Sequence, residues 1–254
     1  MIGTHRFNSA GIVLDGDVRV WSEPGEGRQY VLGLDFAEGM ETGDYDAGVL
    51  LDDMGGQCAT VHGRWGNDGF YSVLCPLIDW YSPFIVGERQ HGLLVLRRFF
   101  SEGRWLYYDR REDARSRPMG DKLGHAAVKL DPTVQSLRAE LAPHGPAGEL
   151  LPSKLVIRDE RLLDELFRFQ YRPRSSTVDP ETAHDDQLVW GAQVGHHDDL
   201  VRAYALAVWG LNELPHYPQP KTKYAPWTWG AQFGIPGELA EERKPAGAFS
   251  QRGR

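Results

Sequence analysis

Apolar positions along the chain fall into continuous runs and periodic stretches. The run Tyr30-Val31-Leu32-Gly33-Leu34-Asp35-Phe36 is apolar on both alternating sets of positions, as in a strand covered on both faces, and predicts a central strand over 29–36. Similar runs predict strands over 45–52 and 57–65, joined by the turn Asp53-Met54-Gly55-Gly56, so these three strands form an antiparallel meander. Phe70, Val73, Leu74, Leu77, Ile78 and Tyr81 lie at helical spacing and predict a helix over 68–81, with Pro76 expected to kink it. A strand over 84–88, a helix over 93–100 and a strand over 105–108 follow. Further on, the pattern predicts a helix over 131–142 with Pro132 in its first turn, a strand over 154–157 and a helix over 160–169 capped by Asp159. A short strand over 187–191 and a helix over 197–211 close the series. Residues 1–29 read as irregular apart from a small hairpin turning at Asp15-Gly16. A meander followed by strand–helix alternation is an α/β arrangement, a mixed sheet flanked by helices.

Acidic residues interrupt this pattern at three places. Asp35 sits within the central apolar run, Glu88 ends the run Phe84-Ile85-Val86-Gly87, and Asp198-Asp199 open the apolar helix. A carboxylate on a buried strand is costly unless it is paired or binds a cation. Two strand ends and a helix start can converge, and an all-oxygen cluster suits Mg²⁺ or Mn²⁺ better than a thiolate zinc site. That chemistry points to metal-assisted phosphodiester hydrolysis. Of the adjacent pair, one is expected to cap the helix and one, preferably Asp199, to bind metal. Asp44 and Asp46 read as turn and solvent residues, one of them able to assist through water, Lys122 as a phosphate contact, a group that orients the attacking water or a solvated lysine, and His197 as a helix-entry residue or a neighbour of the site.

Composition changes the picture little. The chain has 254 residues, 41% of them hydrophobic and 25% charged, room for one large domain with a tail. We divide it into a lead-in over 1–28, a principal domain over 29–212 and a Pro/Trp-rich tail over 213–254. No apolar stretch is long enough for a membrane span and the N-terminus lacks a signal-peptide pattern, so an intracellular location without membrane contact is expected. Cys58 and Cys75 read as buried reduced thiols. A net charge of −8 argues against indiscriminate nucleic-acid coating. Locally, Arg97, Arg98, Arg110, Arg111 and Arg115, with Lys122, form the most basic stretch, either a DNA-contacting rim or a salt-bridged loop interrupted by Glu112 and Asp113.

Several motifs then fall in order. The segment Tyr30 to Gly39 followed by Gly43-Asp44-Tyr45-Asp46-Ala47, the stretch Val86-Gly87-Glu88-Arg89-Gln90-His91-Gly92, the loop Pro118 to His125, and His197-Asp198-Asp199-Leu200-Val201-Arg202-Ala203 resemble the nuclease domain of bacteriophage terminase large subunits. The resemblance runs from about Gly16 to Trp209. It implies an RNase H-like fold and an endonuclease using two metal ions per site, which cuts concatemeric viral double-stranded DNA in the host cytoplasm beside a packaging ATPase and portal. It maps metal ligands onto Asp35, Glu88, Asp198 and Asp199. Many relatives carry an acid where this chain has Arg202. The sequence contains no GxxxxGK[ST], so the family's ATPase motor is not expected within this chain. Two alternatives stand beside this reading: a RuvC-like junction resolvase, and a docking module of the packaging machinery that no longer cuts.

Overall fold

Strands Tyr30–Asp35 (β3), Asp46–Asp52 (β4) and Gln57–Gly63 (β5) are hydrogen-bonded neighbours, each antiparallel to the next. The structure, a computed structural model, describes residues 3–5, 16–37, 45–110, 118–126, 132–173, 188–193 and 195–216. Gly3–His5 (β1) and Gly16–Val20 (β2) extend the meander on one side, and Phe84–Gly87 (β6) adds parallel to β3 on the other. The resulting six-stranded order is β1-β2-β5-β4-β3-β6. The mixed sheet expected from the sequence is therefore present, with one parallel strand and two further antiparallel ones. Gly16 is not a turn residue: it pairs with Gly63 inside the sheet, and residues 11–15 lie outside the described residues.

The crossover from β5 to β6 is the helix Gly66–Tyr81 (α1), which holds Pro76 within it. Arg89–Ser101 (α2) starts four residues before the predicted helix, because Glu88 caps it. Pro132–Leu141 (α3), Glu160–Arg168 (α4, capped by Asp159) and Asp199–Glu213 (α5) follow close to expectation. Two predicted strands are only isolated contacts: Leu106 bridges Ile85, and Val156 bridges Gly56. Phe169–Pro173 (β7), which starts on the last residue of the predicted helix, pairs antiparallel with Leu188–Ala192 (β8) as a separate ribbon. The proposed tail lies outside the described residues from 217 onward. Both cysteines are free thiols; Cys58 is buried, whereas Cys75 is partly exposed.

Strand alternation assigns the two faces. Leu32 and Leu34 of β3 join Leu50, Val61, Phe70, Leu74 and Leu96 in the core beneath α1 and α2. Ala47, Val49 and Leu51 of β4 pack with α5, Leu137 of α3 and Leu162 of α4 on the other face. Val31, Gly33 and Asp35 fall on the α5 side of β3, since residues two apart share a face. Contact there is intimate: a Cβ at Gly33 would overlap the Ala203 carbonyl oxygen and the Ala207 amide nitrogen. Helix and strand backbones touch because that residue is glycine.

Candidate active site

This close packing brings two acidic motifs together. Ala207, Ala203 and Asp199 lie at successive i−4 positions, one helical stripe with a step of about 6 Å. Two residues of strand advance by about 6.8 Å. With Ala203 and Ala207 over Gly33, Asp199 therefore comes over Asp35. Glu88 arrives from the other side, following β6: its amide donates to the Leu34 carbonyl at 2.9 Å.

The electrostatics reflect this convergence. Burial holds the Asp35 carboxyl well above the usual carboxylate range; Arg202 opposes the shift, while Asp199, Glu88 and Asp198 add to it. Asp35 keeps a partly exposed surface, and among the described residues nothing hydrogen-bonds its carboxylate. The four predicted acidic residues are thus electrostatic neighbours. No group of three acidic, histidine or cysteine side chains among the described residues closes into a metal cage. The donor set suits a hard divalent cation in chemistry: carboxylate oxygens, one of them without a hydrogen-bond partner among the described residues, with three like charges and Arg202 around it. In spacing it is open.

Each of the other three carboxylates is held differently. Glu88 accepts the amides of Gln90 and His91 (2.9 Å for the latter), which turns β6 sharply into α2. Asp199 is buried, accepts the Tyr45 amide at 3.3 Å and has His197 Nδ1 at 3.6 Å. Asp198 occupies the N-cap position of α5 but makes no side-chain cap. It pairs with Arg202 at 3.1 Å and accepts the Ala192 amide at 3.2 Å. The expectation that one of the two aspartates caps the helix therefore fails.

The cap comes from a residue the sequence reading passed over. Glu165 of α4 accepts the Val201 amide at 3.1 Å. Burial pushes its carboxyl up to about 8, with Asp199 and Asp198 contributing in the same sense. The available signal was a glutamate three residues after Leu162, on the apolar side of an amphipathic helix.

Asp46 also departs from its solvent assignment. It is fully buried and accepts the amides of Ala37 (3.1 Å), Trp65 (3.1 Å) and Gly66 (3.0 Å). It thereby ties the segment leaving Asp35 to the segment entering α1. Burial raises its carboxyl, and the three amides work against that shift.

The predicted basic rim is largely engaged with protein. Arg97 pairs with Asp121; Arg98 reaches Asp68 and Glu102 and lies 3.5 Å over the Tyr71 ring. Arg110 donates to the His216 carbonyl at 3.0 Å, and the Lys122 carbonyl accepts from Asp109 and Arg89. Arg111, Arg115 and Asp44 lie outside the described residues.

No family model and no curated protein sequence matches this chain. Solved structures do. The large terminase nuclease from thermophilic phage G20c superposes in its magnesium-bound and its cobalt-bound forms with TM-score 0.50 and 18% identity, over 76% of this chain and 86% of that one. Another structure of the same nuclease gives TM-score 0.49 at 20% identity, over 75% of this chain and 86% of that one. Identity this low speaks for fold alone. The chain has the mixed-sheet, RNase H-like fold expected of it, and these solved structures are of a large terminase nuclease, the kind of domain its motifs resemble.

Proposed function

We propose that this chain is the nuclease domain of a bacteriophage terminase large subunit, a metal-dependent endonuclease that cuts concatemeric double-stranded DNA during genome packaging. The observation that carries the proposal is the carboxylate of Asp35, without a hydrogen-bond partner among the described residues and flanked by Asp199, Glu88 and Asp198, on a fold shared with such a nuclease. Asp35, Glu88 and Asp199 would hold Mg²⁺ or Mn²⁺, two per site, with Asp198 completing the set. A divalent cation bound there supplies an acidified water and positive charge against the phosphate. The protein's own part is positional. Glu88 is fixed by the turn it caps, Asp199 by the Tyr45 amide, and the α5 N-terminus by Glu165. Asp35 lies between these elements at the end of β3, which is flanked by β4 and β6. No side-chain nucleophile is required.

The domain proposed for this activity spans 29–212, with a packaging ATPase and portal as partners and the host cytoplasm as its place of action. A non-cleaving docking module has one observation in its favour, the open spacing of the carboxylates with Arg202 among them. A plasmid-nicking assay separates the two. Conversion of supercoiled DNA with Mg²⁺ or Mn²⁺, abolished by EDTA, is the expected result. Full cleavage in excess EDTA, or none with either metal, overturns the proposal.

A further inference from the structure

Arg64 is held differently from most of the described arginines. Arg19, Arg28, Arg104, Arg161 and Arg202 all hold carboxylates. Among the described residues Arg64 makes neither a hydrogen bond nor an ion pair, and its Nε is buried without a partner. What holds its guanidinium is an aromatic face: Cζ lies 4.2 Å from the centroid of the Tyr45 ring. Stacking of this kind orients the planar group, and with Nε buried the donors left to a ligand are its terminal Nη groups.

The platform is part of the acidic site. Tyr45 donates its amide to Asp199 Oδ2 at 3.3 Å, and its ring stacks on His62 at 4.5 Å and meets His197 edge-on at 5.0 Å. Burial holds His62 down at about 4, so at neutral pH it carries no positive charge to compete for an anion. Arg64 immediately follows β5, whose Gly63 pairs with Asp46, while Ala47 pairs with Asp35 on the neighbouring strand. The Asp46 clamp binds the residue after Arg64 and the second residue after Asp35 through one carboxylate. Arg64 is thus built onto the edge that carries Asp35. A cation kept from nearby carboxylates and presented as a rigid fork suits a phosphate, whose oxygens accept two parallel N–H bonds.

We propose that Arg64, seated on Tyr45, is a phosphate-binding residue that grips a backbone phosphate of the DNA beside the carboxylate site. This rests on the endonuclease reading and adds to it the contact that offsets repulsion between a polyanion and the acidic cluster. The competing role is a packing cation for Tyr45 alone, and that role would affect melting temperature without affecting DNA.

The test measures binding of a short duplex to the full chain in EDTA, where no cleavage occurs, across a series of salt concentrations. Arg64→Ala is expected to weaken binding about tenfold at low salt and to reduce the log–log salt slope by about 0.9, the value of one phosphate contact. Arg64→Lys should restore the slope but only part of the affinity. Calorimetric Mn²⁺ binding without DNA should be unchanged in both. Arg64→Met keeps an apolar stem over Tyr45 and carries the test if the alanine variant fails to fold. Unchanged affinity and slope in a folded Arg64→Ala or Arg64→Met protein overturns the proposal while the endonuclease reading stands. A wild-type chain that neither binds the duplex nor nicks plasmid overturns both.

Discussion

Glu165 on α4 caps α5 through the Val201 amide, standing in for Asp198, which sits at the cap position but turns to Arg202 and Ala192. The cap is a carboxyl raised by burial from 4.5 to about 8, so the folded chain keeps a proton that the unfolded chain releases between those values. Stability is therefore lost as pH rises through that window, by up to about 1.4 kcal/mol per pH unit from this group. Glu165→Gln retains the acceptor and should flatten the slope in urea midpoints measured from pH 5 to 8. An unaltered slope would remove Glu165 as its source.

Asp35→Asn should separate stability from activity. The raised carboxyl of Asp35 costs stability once ionised, so at neutral pH in EDTA the amide is expected to melt higher, by roughly 2–4 °C for each kcal/mol relieved. Loss of the proposed ligand should lower the cleavage rate about a thousandfold or more. A variant that melts below wild type in EDTA and still nicks plasmid with Mn²⁺ would contradict both assignments.

Arg202 is the cation that opposes the rise of the Asp35 carboxyl, and it also pairs with Asp198. Arg202→Met should leave four acidic groups with less compensation. The expected pair of effects has opposite signs: lower stability in EDTA and several-fold tighter Mn²⁺ binding by calorimetry. If both quantities fall, Arg202 acts through packing instead.

Asp46→Ala would leave the amides of Ala37, Trp65 and Gly66 without their shared acceptor. At about 1–3 kcal/mol for each buried unsatisfied group, a loss on the order of 3 kcal/mol or more is expected in chemical denaturation. Asp46→Asn, which keeps one carbonyl acceptor, should lose less.

The parts of the fold legible in the sequence were those written in side-chain period. The three meander strands, α1 and α5 could be read because burial on one or two faces repeats every two or three to four residues. Pairing partners are not written in that period. Nothing in Gly16–Val20 indicates that it adds to β5, and β7 pairs with a strand more than a dozen residues on. At the candidate site, Asp35 and Asp199 stood out because a charge within an apolar run is anomalous. Glu165 and Asp46 were harder to see because their roles depend on amides supplied by other elements. A helix N-terminus needing an acceptor does not say which distant carboxylate provides it.

Gly33 has a consequence for how the protein comes into being. Its missing side chain lets α5 lie directly on β3, yet the two elements stand near opposite ends of the described chain. A ribosome releases β3, the rest of the sheet and four helices before α5 emerges, and N-terminal parts begin to fold first. Until that last helix seats, Asp35 lacks Asp198 and Asp199, and the acidic centre does not exist. Biosynthesis itself thus delays the centre's assembly, and a nascent or interrupted chain stands without it.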